Sequence, residues 1–192
     1  MRKFIAAVAV AGLIGVSGAQ AQQGGDLGAL MGALSPAMSR ATNSAVAVVD
    51  FRELKALLPA DLPGMKRTAA NGEKSSAMGM TVVYAEGKYA SGDKTIEIKM
   101  SDYGGTGMAA MMAAGWTMQE IDRETETGFE RTTTIGGYKA KETYDTADQN
   151  GTTEIMVAGR FLVEVTGSGV KAEEIKTAVA KLDLAKLAAM KK

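Results

Sequence analysis

Residues 108–118, MAAMMAAGWTM, concentrate four methionines and the chain's single tryptophan. Met108, Met111 and Met112 fall at i, i+3 and i+4, so on a helix their thioethers share one face. Thioethers are soft ligands that select Cu(I), and Met118 extends the set to four. The same spacing is what a sheet-covering helix needs, because methionine fills gaps between alanine neighbours. With thirteen methionines spread along the chain, packing is the expected role and no metal is expected. Alanine-rich walls beside Met108, Met112 and Trp116 would also line a pocket for a small apolar ligand.

Other chemistries find less support. The chain has no cysteine and no histidine, which removes the usual nucleophile–base pairs and the side chain best suited to proton transfer near pH 7. Neither Ser75 nor Ser76 has lysine three residues on, and Ser91-Gly92-Asp93-Lys94 falls among turn residues. Gly105-Thr106-Gly107-Met108-Ala109-Ala110 matches the dinucleotide fingerprint. The strand expected before it alternates polar and apolar residues, unlike the doubly buried first strand of a Rossmann unit. Asp145, Asp148 and Asn150 suggest a calcium loop but miss the EF-hand spacing, and a turn explains them. Of the many carboxylates, Glu142 stands between Tyr138 and Tyr144 on one strand face. It is the one expected to be buried, paired with a lysine across strands. No catalytic residue, no cofactor and no enzymatic activity are expected.

Composition narrows the setting. Basic and acidic residues balance at 22 each, so no basic face for nucleic acid is implied. Arg2 and Lys3 precede an apolar run from Phe4 to Val16, and Ala19-Gln20-Ala21 fits a signal-peptidase site. The run is too short to span a bilayer, which takes about 20 residues. These features predict a signal peptide over 1–21, cleavage near Ala21, and a periplasmic or secreted protein. No cysteine follows the cleavage site, so no lipid anchor is expected. Residues 22–44, rich in Gly, Ala and Ser, read as a flexible tether, and 45–192 as one domain.

Within that domain the elements follow from period and punctuation. Asp50 is placed to cap a helix carrying Leu54, Leu57 and Leu58, ended by Pro59 and Pro63. The spacing predicts strands at 80–84 and 95–100, with Ile96, Ile98 and Met100 facing one way, joined through EGKYASGDK. After the 108–118 helix, strands at 129–135 and 138–144 flank Gly136-Gly137, a pair suited to a two-residue hairpin turn. Strands at 153–157 and 161–166 flank Ala158-Gly159-Arg160, with Phe161, Val163 and Val165 inward. A last helix from Lys171 carries Ile175, Ala178, Val179 and Leu182, and Asp183 caps a short one beyond. QEIDRETETGFER (119–131) reads as solvated charge. The expected fold class is α+β: an antiparallel sheet of about six to seven strands in hairpins, covered by an N-terminal, a central and a C-terminal helix.

The runs DFRELKALLPADLPGMKR (50–67), TIGGYKAKETYD (134–145) and GRFLVEVTGSG (159–169) resemble those of small secreted bacterial proteins without assigned activity. Their layout is similar to the PsbP-like α/β/α sandwich. The resemblance rests on layout and glycine placement and implies a binding or accessory role at the cell envelope, with no residue roles to carry over. The partner is therefore expected to be an envelope protein or a small apolar ligand.

Overall fold

Strand alternation organises the molecule more widely than the sequence pattern indicates. A computed structural model describes residues 47–77, 80–104, 111, 114, 115 and 117–191, all within one compact unit, Arg40–Lys192. The expected signal peptide, the tether, Met108, Met112, Trp116 and the glycine-rich turn at 105–107 lie outside the described residues.

Nine strands form one sheet: β1 (Asp61–Leu62), β2 (Met65–Ala77), β3 (Met80–Ser91), β4 (Lys94–Asp102), β5 (Asp122–Thr125), β6 (Gly128–Ile135), β7 (Tyr138–Asp145), β8 (Asn150–Val157) and β9 (Phe161–Ser168). Their spatial order is β1-β2-β3-β4-β9-β8-β7-β6-β5. Every neighbouring pair is antiparallel. Two meanders, β1–β4 and β5–β9, therefore meet along the central β4–β9 seam.

Three short helices have described bounds: α1 (Phe51–Ala56), α2 (Ala172–Val179) and α3 (Leu184–Ala189). The caps are where the sequence puts them. The Asp50 carboxylate accepts from the Arg52 amide and that of Asp183 from the Lys186 amide, each closing an otherwise orphaned donor. Helix α1 lies on β2 and β3, α2 on β8 and β9, and α3 on β8. Leu54, Ile175, Val179 and Leu187 from these helices join Val83, Ile98, Met100, Ile155, Phe161, Val163 and Val165 in one buried cluster. Ile96, Ile98 and Met100, together with Phe161, Val163 and Val165, face inward as the alternation requires.

The α+β expectation of about six to seven strands is thus corrected to a mostly β fold of nine strands with small helices. Three strands escape the sequence pattern for a physical reason. Strand β2, MKRTAANGEKSSA, sits near the sheet edge with most of its residues exposed, so no alternation of polarity marks it. Strand β5 is four exposed residues within the stretch read as solvated charge, and β1 is only two residues. The turn after β3 is also shorter than expected. Glu86–Ser91 belong to the strand, and Gly92-Asp93 alone separates it from β4.

Two sets of glycines shape the packing. Gly136 and Gly137 both have positive φ, +59° and +85°, which gives the β6–β7 hairpin the turn that matches strand twist. Gly151 and Gly167 stand opposite one another on β8 and β9 directly beneath Ile175. A Cβ at Gly167 would lie 2.4 Å from Val170 Cγ2 and 2.8 Å from Ile175 Cγ1. Their bare backbone is what lets α2 settle on the sheet.

At the other end of the β4–β9 seam sits a buried ion pair. Asp102 and Arg160 are 0% and 1% exposed. Arg160 donates from Nε and Nη2 to the two Asp102 oxygens, each at 2.8 Å, and from Nη2 to the Ala47 carbonyl. The Val49 and Gly104 amides also donate to Asp102. One carboxylate thereby ties the segment entering α1, the end of β4 and the start of β9.

Candidate functional site

The helices with described bounds pack on one sheet face, which is filled. The opposite face, from β3 across to β6, carries the outward residues of each strand, and the register lays them in rows. One row reads Lys141–Glu154–Glu164–Lys99 across β7, β8, β9 and β4. The next reads Thr143–Thr152–Thr166–Glu97, and a third reads Asp145–Asn150–Ser168–Thr95.

Glu154 and Glu164 are the anomaly. They stand directly opposite on adjacent strands, a placement that destabilises when both are charged. Neither forms a hydrogen bond or ion pair with another described residue, while the acids around them are partnered. Glu130 pairs with Lys141 and Arg123, and Glu86 and Glu97 both pair with Lys88. Burial raises the Glu154 carboxyl above its ordinary value, Lys141 opposes this, and the Glu164 charge adds to it. Above the pair, Met156 and Leu162 are buried beside Tyr103, whose phenol is pushed up by burial and by Glu164.

Below the pair lies an open groove of about 580 Å³. Its lining carries Thr143, Thr152, Thr166, Asn150 and Ser168 together with the Glu130 and Asp145 carboxylates. Cross-strand pairing pre-orders these groups. The Thr152 and Thr166 hydroxyls are 3.3 Å apart in a shared hydrogen bond, and Ser168 donates to the Asn150 side-chain oxygen at 2.8 Å. Phe129 and Tyr144 stack at 5.9 Å between ring centres on the helix-covered face instead, where the Tyr144 hydroxyl donates to the Val170 carbonyl.

The residues singled out from sequence fall elsewhere. Met111 and Met118 are 67% and 84% exposed, so these two do not serve as core. The backbone at 111, 114, 115 and 117 is helical, and Lys139, on the groove side of β7, donates to the Thr117 carbonyl. Met108, Met112 and Trp116, the proposed pocket lining, lie outside the described residues. Glu142 is buried, as expected, but its partner is arginine. Arg131 reaches it from Nε at 2.7 Å and from Nη2 at 2.6 Å, because the β6–β7 register sets Arg131 opposite Glu142. Asp145 accepts from the Ala147 and Asp148 amides, the turn geometry that explains this acidic loop. Lys94 bonds Glu174 of α2, not a serine. Among the described residues no three Asp or Glu side chains converge as metal ligands, and no helix is long and apolar enough to cross a membrane.

Sequence reasoning missed Glu154 and Glu164, although a signal existed. Both lie five residues from Gly159, the middle of the β8–β9 turn, so a simple hairpin places them face to face. Asp102 likewise continues the inward phase of Ile96, Ile98 and Met100. No family model, no curated protein and no solved structure matches the chain.

Proposed function

We propose that this protein is an exported, non-catalytic binding or accessory protein of the cell envelope, and that it binds through the sheet face opposite its helices. The observation that carries the reading is the contrast between the two faces. One is a closed apolar core. The other combines an open groove, pre-ordered polar side chains and a Glu154–Glu164 couple without an ion pair among the described residues. Local rules of strand pairing are broken most readily where a surface serves a ligand. The leader-like N-terminus and the absence of cysteine and histidine support export and a non-catalytic role. The test is amide chemical-shift mapping of the purified protein against envelope extracts fractionated by chemical class. Saturable shifts clustered on β7, β8 and β9 support the reading. Shifts confined to other surfaces, or robust turnover of a substrate in hydrolase screens, overturn it.

A second reading rests on the exposure of Met111 and Met118. Seven residues apart, they fall on one side of a helical period, with their side chains open to Cu(I); Met108 and Met112, the other members of the set, lie outside the described residues. Titration with Cu(I) against a chromophoric competitor tests it. Competition unchanged in Met111→Leu/Met118→Leu removes it.

A further inference from the structure

Strand β2 leaves one edge of the sheet open, and its residues indicate what closes it. We infer that a second copy of this chain pairs there, β2 against β2 and antiparallel, about a twofold axis through Gly72. The strand order keeps β7, β8 and β9 away from this edge, so their face stays open in the dimer.

Strand β3 flanks β2 along residues 66–77, whereas on the other side β1 pairs only with Met65 and Lys66. From Thr68 on, that side of β2 has no strand among the described residues. Such an edge, with its row of unpaired N–H and C=O groups, is a template for another strand. Proteins blunt edges with short covering strands, basic side chains and bulges. Here these devices stand at one end: β1, Lys66, Arg67, and the bulge between Arg67 and Ala69. Ala69-Ala70-Asn71-Gly72 carries no charge, and the register from Ala69 to Ala77 is regular.

Charge and the bulge choose the register. A twofold axis through Glu73 or Lys74 opposes that residue to its own copy, and like charges directly opposed are destabilising. An axis through Asn71 leaves only 69–73 clear of the bulge. One through Gly72 pairs 69–75 without reaching it. Asn71 then opposes Glu73 twice and Ala70 opposes Lys74 twice, with no like charges facing. Tyr84 donates to Glu73 Oε2, and the other carboxylate oxygen is placed to accept from the second copy's Asn71.

Helix α1 supplies an independent observation. Phe51 lies directly over Gly72, where a Cβ would stand 2.5 Å from Phe51 Cδ2. The ring is only partly buried. The Arg52 guanidinium stacks on it at 4.5 Å, but that side chain is 72% exposed and has room to move. Opposed residues of an antiparallel pair stand about 4.5–5.5 Å apart. An axis through Gly72 therefore brings both Phe51 side chains to one place on the sheet, within reach of the aromatic pairing seen at about 4.5–7 Å between centroids. The second copy gives Phe51 the apolar cover that one chain leaves incomplete.

Sedimentation velocity of the purified protein over a concentration series should show a reversible monomer–dimer equilibrium. Asn71 is exposed, so it tolerates charge. Asn71→Lys sets an ammonium against Glu73 in both pairs and should tighten the dimer on the order of fivefold, while Asn71→Glu should weaken it by about the same factor. Circular dichroism checks that both variants keep the sheet. The chain has no cysteine, so introduced thiols report the register directly. Under mild oxidation Asn71→Cys/Glu73→Cys should give a covalent dimer, because opposed strand residues lie within disulfide reach. Asn71→Cys/Ser75→Cys, out of register, should not. A chain that is monomeric at every concentration overturns the proposal, whether the edge stays bare or takes a different strand. So does a dimer that the two Asn71 charge variants shift alike or not at all, or one in which the out-of-register thiols link as readily, since its axis then lies elsewhere.

Discussion

Replacing Asp102 by alanine removes the acceptor of four hydrogen bonds at once. Two come from Arg160 and one each from the Val49 and Gly104 amides. It also leaves a guanidinium that is 1% exposed without its counter-charge. Taken singly, hydrogen bonds to a charged group contribute about 1.5–3 kcal/mol each, but four sharing one carboxylate do not add. Breaking a buried ion pair by removing one partner costs about 3–5 kcal/mol, and that is the expected loss here. A domain of this kind holds only about 5–15 kcal/mol in total, so the variant remains folded but weakened. With a urea slope of about 2 kcal/mol per molar, the unfolding midpoint should fall by about 2 M, followed by far-ultraviolet circular dichroism of the sheet. Hydrogen exchange at Val49 should accelerate more than at Val163 in mid-strand, because the segment entering α1 loses its tie. The pair Asp102→Leu/Arg160→Met, which removes both charges, should recover most of the loss, as buried ion pairs replaced by apolar side chains commonly do. A loss below about 1 kcal/mol for Asp102→Ala would refute the reasoning, since Arg160 would then have found other solvation and the seam would not depend on this carboxylate.

Other perturbations read the same structure. In Gly167→Ala the new Cβ meets Val170 and Ile175 at 2.4 and 2.8 Å, so thermal unfolding should show a loss of about 1–3 kcal/mol typical of overpacking. Gly92→Ala, with nothing within 4 Å but φ of +60°, separates backbone strain from steric overlap and should cost about 1 kcal/mol. Because the folded state raises the Glu154 carboxyl, the charged form disfavours folding: stability from this group is full at acidic pH and is lost as pH rises through its folded value. Glu164→Gln removes the opposing charge and should therefore stabilise by about 0.2–1 kcal/mol at pH 7, with little gain at pH 3, measured by urea unfolding at both. An equal gain at the two pH values would show that charge is not the cause. Under dilute hydrogen peroxide, peptide mass mapping should find sulfoxide at the exposed Met111 and Met118 well before Met65, Met100 and Met156, which are 5%, 1% and 9% exposed.

The patterns that survive in a sequence are those one element can enforce alone. Ile96, Ile98 and Met100, like Phe161, Val163 and Val165, alternate because one face of each strand is buried. Asp50 and Asp183 cap because the nearest orphan amide is two or three residues away. Gly136-Gly137 marks its turn because positive φ is a local demand. Strand β2 has no such mark, since an exposed edge strand can be built from almost any polar residue once β3 offers it a partner. Near the boundary stand Glu154 and Glu164, whose opposition follows from the turn between them. The groove lies beyond it. Thr143, Thr152 and Thr166 come from three strands, and only the order β7-β8-β9 turns three scattered threonines into a row.

Asp102 and Arg160 show the same division. The inward phase of β4 fixes that an acid points into the core, and low dielectric then demands a cation beside it. Which cation is decided by the β4–β9 pairing, a contact between residues 58 apart that no local pattern encodes. The sequence by itself determined the inward faces, the caps, the tight turns and the absence of thiol and imidazole chemistry. Only the tertiary structure decided which strands became neighbours, and through them which side chains share a charge, a hydrogen bond or a binding surface.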